Sequence, residues 1–127
     1  MLRHDENPAD RIASGPVITK AVLRTAARLG LTARALSQVI GVSEPTVSRM
    51  KSGDYALESG SKPFELAVLL VRVFRSLDAI AGGDESVARA WMSNPNIALD
   101  GVPAEKIRTI TGLTDVMAYL DARRALV

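Results

Sequence analysis

Between Gly41 and Gly53 the chain reads "GVSEPTVSRMKSG", and its polar residues are spaced for contact with a surface rather than for catalysis. Ser43 is a good N-cap for a short helix, and Pro45 sits in a first turn where no helical N–H is needed. Glu44, Thr46, Ser48 and Arg49 then point away from the apolar side set by Val47 and Met50. Short polar side chains at the start of such a helix reach base edges in a DNA major groove, and arginine can bond guanine through two hydrogen bonds. Ser43, Thr46 and Ser48 equally suit phosphate oxygens, which fix register without reading sequence. Lys51 adds a charge for the backbone. The candidate DNA contacts are therefore Ser43, Glu44, Thr46, Ser48, Arg49 and Lys51.

Other chemistry finds little material. The chain has no cysteine and one histidine, His4, in a polar N-terminal stretch, so neither a metal site of ordinary composition nor a Ser-His-Asp or Cys-His arrangement can be assembled. Gly82–Gly83 lacks the spacing and lysine of a phosphate loop and reads as a helix stop. No catalytic residue, metal or cofactor is expected, and the chain reads as a non-enzyme.

The charge distribution favours the DNA reading. Net charge is only +2, but from Arg11 to Gly53 seven basic residues (Arg11, Lys20, Arg24, Arg28, Arg34, Arg49, Lys51) face one acid, Glu44. From Asp54 onward acids outnumber bases, ten to eight. Positive charge is gathered where phosphates would be met.

The elements that must position these residues are all helical. With 47% hydrophobic residues in 127 and a mean hydropathy of +0.12, a real core can form. Aromatics are only 4%, so aliphatic side chains must fill it. Residues 1–15 read as a flexible arm. A helix from Val17 to Leu29, with apolar Val17, Ala21, Leu23 or the neighbours of Arg24, and Ala27 recurring at helical spacing, ends at Gly30. Thr32 caps a second to Ile40, with Ala35, Leu36, Val39 and Ile40 inward, and Gly41 makes a left-handed turn into the third. After the loop "KSGDYALESGSK", Pro63 opens a long helix to about Ala81 with a stripe of Leu66, Leu69, Leu70, Val73, Leu77 and Ile80. Val68, Val71 and Phe74 lie off that stripe, and a helix apolar on most of its circumference is buried on two sides. They are the candidate interface of a homodimer, since half-sites read by such helices usually come in pairs. Asp84 caps a helix to Ser93 carrying Val87, Ala90 and Trp91. Trp91 is expected to plug the joint between the two halves, its N–H finding a partner. Pro103 starts a helix to Thr111, Gly112 stops it, and Thr114 caps the last. The result is all-α, with about seven or eight helices. The expected division is an arm (1–15), a DNA-reading unit (16–82) and a small helical unit (83–127). No apolar run reaches the length of a bilayer span and the N-terminus has no apolar signal core, so a cytoplasmic location is expected.

Two stretches carry a resemblance. "LTARALSQVIGVSEPTVSRMKSG" resembles the Xre-type, lambda-repressor-like helix-turn-helix at Leu31, Thr32, Leu36, Gly41, Val42, Ser43, Val47, Ser48 and Gly53. Ala33 stands where many relatives carry a glutamine aimed at the phosphate backbone. "RAWMSNPNIALDGVPAEKIRTITGLTDVMAYLDARRALV" resembles the C-terminal toxin-binding domain of Xre/MbcA/ParS-type antitoxins. The matching residues are Trp91, Met92, Pro95, Asn96, Leu99, Gly101 and Pro103, then Ile107, Thr109, Gly112, Val116 and Leu120. The resemblance implies an antitoxin that pairs with a RES-domain toxin, which degrades NAD or transfers ADP-ribose, and that represses its own promoter by binding operator DNA. It also implies that the antitoxin's C-terminus closes the toxin's cleft, which nominates Tyr119, Arg123, Arg124, Leu126 and Val127 as toxin contacts. The Val127 carboxylate would suit a cationic pyrophosphate pocket; Arg123 and Arg124 would suit an acidic catalytic residue. The other reading is a stand-alone dimeric transcriptional regulator. The neighbouring reading frame discriminates between the two.

Overall fold

A computed structural model describes residues 14–126, so the expected N-terminal arm, His4 and Val127 lie almost wholly outside the described residues. Among the described residues there are seven helices: α1 (Gly15–Leu29), α2 (Ala33–Ile40), α3 (Glu44–Ser52), α4 (Lys62–Ile80), α5 (Glu85–Ser93), α6 (Pro103–Lys106) and α7 (Ile110–Arg124). The nearest thing to a strand among them is one isolated bridge, Asn96 with Gly101. None of these helices is long and apolar enough to cross a membrane. The expected all-α class is what forms.

α4 is the central element. It packs against α1 on one side and α7 on another, while α2 and α3 pack on each other and α2 also rests on α4. Leu66, Leu70, Val73 and Leu77 of α4 are buried, as their spacing predicts. Val71 is buried as well, at 8% exposure, and Phe64 and Ala67 join it. This corrects one interface candidate: Val71 is covered within the chain, beside Ala21 and Thr25 of α1, and only Val68 and Phe74 remain half-exposed.

The inward face of α1 also differs from expectation. Ile18, Val22, Ala26 and Leu29 are buried, whereas Val17 is 46% exposed and Ala27 is exposed. The reason is a polar pin that the apolar pattern hides. Buried Thr19 Oγ1 donates to the Gly15 carbonyl at 2.7 Å and accepts from the Leu57 N–H at 2.9 Å. The loop after α3 is thereby drawn onto the start of α1, and Leu57, 2% exposed, becomes a core residue. With Thr19 turned inward to make that contact, the Ile18–Val22–Ala26 row, four residues apart, faces the core.

α5 is rotated from its expected face in the same way. Ala88 and Met92 are buried, Val87 is 49% exposed, Ala90 is exposed and Trp91 is half-buried. Asp84 caps the helix as expected, accepting from the N–H groups of Ser86 and Val87. The Ser86 hydroxyl also donates to it at 2.7 Å, and these hydrogen bonds hold the Asp84 carboxyl below its ordinary value of 3.8.

The α6–α7 junction overturns a boundary. Gly112 does not stop a helix; it lies in the first turn of α7, whose N-cap is Thr109, accepting from the Gly112 N–H at 3.0 Å. A Cβ at Gly112 would come within 1.8 Å of the Lys106 carbonyl oxygen. The glycine is there for close approach of two backbones, not for termination. Thr114, expected as the cap, instead donates back to the carbonyls of Ile110 and Thr111. α6 is correspondingly only one turn long.

Candidate functional site

α2, its turn and α3 form the first candidate surface. Leu36, Ile40, Val47 and Met50 are all at most 3% exposed, so the two helices are held by a dry apolar seam. Gly41 joins them at φ 75°, the left-handed conformation expected of it. Thr32 and Ser43 each accept from the backbone N–H three residues on and cap α2 and α3. The open end of α3 therefore projects at a fixed angle, the geometry of a helix-turn-helix.

On that helix Glu44, Ser48 and Arg49 are exposed and Thr46 is half-exposed. Ser43 Oγ and Thr46 Oγ1 lie 2.9 Å apart, and Arg49 Nη2 donates to Thr46 Oγ1 at 3.2 Å. The Arg49 guanidinium also sits 5.7 Å from the ring centroid of Tyr55. Arg49 is thus held between a hydroxyl and an aromatic face, which reduces the rotamer freedom it must give up on contact. Tyr55, 39% exposed, was not singled out by sequence reasoning. The available signal was an aromatic residue directly after the helix in an aromatic-poor chain. Lys51 is exposed but turned to the flank, beside the gap lined by Leu23, Ala27, Thr32 and Ala33. It does not share a face with Arg49. Ser43, Thr46 and Arg49 are brought together by hydrogen bonds, whereas Glu44 and Ser48 are exposed on the side of α3 that carries Lys51.

The second candidate surface lies on α5 and α7. Trp91 stacks on Tyr119 with ring centroids 6.2 Å apart and planes inclined by 19°. The Arg123 guanidinium lies 5.6 Å from the Tyr119 centroid. Trp91 therefore joins α5 to α7, which corrects its expected place at the joint of the two halves. The halves meet where α7 packs on α4, with Asp121 bonded to Ser76 and Arg72, and where Arg89 and Arg28 join α5 to the end of α1. Arg89 donates from Nη2 to the Ala27 carbonyl at 2.7 Å and from Nε to the Arg28 carbonyl at 3.1 Å, capping the C-terminal end of α1. Arg28 reaches Glu85 at 3.4 Å and Asp78 at 3.9 Å, and stacks over Phe74.

The nominated tail residues separate into three situations. Tyr119 is half-buried in the aromatic stack, and Arg123 lies over it. Arg124 turns the other way, its Nη1 3.5 Å from the hydroxyl of buried Ser76 on α4. Ser76 donates to Asp121 at 2.9 Å, and Asp121 is paired with Arg72 at 2.8 Å. Leu126 is 85% exposed, beyond the end of α7 at Arg124. Val127 lies outside the described residues.

Among the described residues no cluster of three or more His, Asp or Glu side chains is placed to hold a metal ion. The groups gathered at both surfaces suit contact with large partners. The comparisons agree with that geometry. The model for the antitoxin Xre-like helix-turn-helix domain matches residues 9–72, covering α1 to α3 and the first half of α4. The model for the antitoxin Xre/MbcA/ParS C-terminal toxin-binding domain matches residues 76–125, from the end of α4 through α7. No individual curated protein matches the chain. With one model spanning half the chain and the second most of the rest, this protein belongs to the Xre-like helix-turn-helix antitoxins that carry an Xre/MbcA/ParS toxin-binding domain.

Proposed function

We propose that this antitoxin neutralises a RES-domain toxin that uses NAD, by placing its C-terminal turn in the toxin's active-site cleft, and that it represses its own promoter through α3. The observation that carries the first part is the exposure of the residues that follow α7. α7 is anchored on α4 through Val116, Leu120 and the Asp121–Ser76 bond, yet Leu126 beyond it is 85% exposed. A helix anchored along one side and followed by an exposed apolar residue next to two arginines is suited to fill a cleft. Arg123 is the charge available for an acidic group in that cleft, since Arg124 is shared with Ser76. On the DNA side Arg49 reads a base, Ser43, Thr46 and Ser48 hold register, and Lys51 meets a phosphate on the flank.

The antitoxin acts as a homodimer in this reading, with Val68 and Phe74 on the pairing face. Light scattering of the isolated chain at micromolar concentration checks this; a monomer mass would contradict it. The toxin reading is tested by purifying the product of the adjacent reading frame and following NAD loss. NAD consumption that falls to zero at stoichiometric antitoxin is the expected result. A toxin that leaves NAD untouched would contradict the reading.

A further inference from the structure

The C-terminal unit presents apolar surface that the tail does not account for. Residues 95–101 form a tightly pinned loop: the Asn96 N–H donates to the Gly101 carbonyl at 2.8 Å, and Asn96 Oδ1 accepts from the Leu99 N–H at 3.1 Å. The Asp100 N–H donates to the Ile97 carbonyl at 3.1 Å, and Asp100 itself is held at φ 55°. Leu99 is buried at 8% exposure, but Ile97 at the tip is 99% exposed. A β-branched side chain wholly in water adds nothing to the core, and the fixed backbone means that little freedom is lost when it is buried by a partner. Beside it runs a groove of about 300 Å³ lined by Val87, Ala90, Trp91, Asn94, Pro95 and Asn96. One wall of this groove is Trp91, which stacks on Tyr119, which in turn carries Arg123.

We propose that Ile97 and this groove are the docking surface for the toxin, separate from the turn that closes its cleft. Ile97 enters an apolar pocket of the toxin, and an apolar toxin side chain lies in the groove against Trp91. The toxin is favoured over a second copy of this chain by position. Every residue named lies within the stretch that matches the toxin-binding domain, and the Trp91–Tyr119–Arg123 stack links one wall of the groove to the tail. The inference rests on the toxin being the partner, but not on what the toxin does to NAD. Docking and inhibition are then divided: the groove and Ile97 supply affinity, and the tail supplies the block.

The test uses the full chain co-expressed with the product of the adjacent reading frame. Ile97→Asp, which touches nothing buried, is expected to weaken the complex by about thirtyfold or more in a titration of purified components, as for a central hot-spot residue. Ile97→Ala should weaken it less, and Val87→Lys should act in the same direction, all with unchanged circular dichroism and DNA binding. Toxin affinity within twofold of wild type for Ile97→Asp would overturn the proposal. So would a switch from dimer to monomer at unchanged toxin affinity, which would give the face to self-association. A wild-type complex that depends on Ile97 but contains a toxin inert towards NAD would refute the proposed chemistry and leave the docking surface standing.

Discussion

The exposed ends of α3 and α7 both present arginine to solvent, and they are built differently. α3 is locked beneath by Val47 and Met50, capped by Ser43, and its Arg49 is held by Thr46 and Tyr55. Groove recognition needs several side chains in a fixed register, so rigidity extends to the contacting atoms. At the end of α7 the order is graded: Leu120 is in the core, Tyr119 is stacked, Arg123 rests on Tyr119, and Leu126 stands free. A plug needs a fixed base and an adaptable tip. Under the proposed function, similar charge serves reading in one region and filling in the other, and what differs is how far order extends outward from the core.

The comparison can be broken most severely at a glycine. Gly112→Ala places a methyl against the Lys106 carbonyl at the start of α7, and the backbone must move. A loss of about 3 kcal/mol in urea unfolding is expected. Gly41→Ala meets no closer neighbour than Leu66 Cδ1 at 3.9 Å, and carries only the strain of a left-handed alanine. It should cost about 1–2 kcal/mol. Equal losses would remove the distinction between a glycine needed for approach and one needed for φ.

Within the DNA surface, Arg49→Ala should cost about 1–3 kcal/mol in operator binding and relax specificity at one base pair. Lys51→Ala, on the flank, should weaken all sequences alike and lower the salt slope by about one. A gel-shift series over several operators and salt concentrations separates them; a shared pattern would contradict their placement on different faces. Smaller still is the contact of α5 with the end of α1. Arg89→Ala removes two hydrogen bonds to the end of α1 and should lower stability by about 1 kcal/mol while leaving each surface intact. The smallest effect is a pH dependence. Because hydrogen bonds lower the Asp84 carboxyl in the folded chain, its contribution is complete above the ordinary carboxylate value and fades as pH falls through the lowered one. Asp84→Asn should flatten the stability profile in that acid window, measured by thermal unfolding.

The helix-turn-helix was legible because its parts are local. Caps, a turn glycine and an apolar seam all lie within residues 31–53, so spacing alone predicts which side chains are free. What was not legible depends on distant partners. The face of α1 is set by Thr19 receiving the Leu57 N–H, 38 residues away, and no periodicity contains that bond. Gly112 looks like a stop signal because only the fold reveals the Lys106 carbonyl above it. Trp91 looks like a plug between halves, but its partner is Tyr119 on the same unit. Arg123 and Arg124 are adjacent in sequence and alike in type, yet a helix sends them to opposite neighbours, Tyr119 and Ser76.

The most direct measurement compares the full chain with one lacking Arg123 to Val127 in two assays run together. Few tertiary contacts are lost among the described residues, since Arg124 makes only a 3.5 Å approach to Ser76 and Arg123 lies over the ring of Tyr119 on its own helix. The truncated protein is therefore expected to fold, to bind operator DNA with unchanged affinity and to remain bound to the toxin through Ile97 and its groove. It should nevertheless fail to stop the toxin's consumption of NAD. Equal inhibition by the full and truncated chains would contradict the central claim that the final turn blocks the active site.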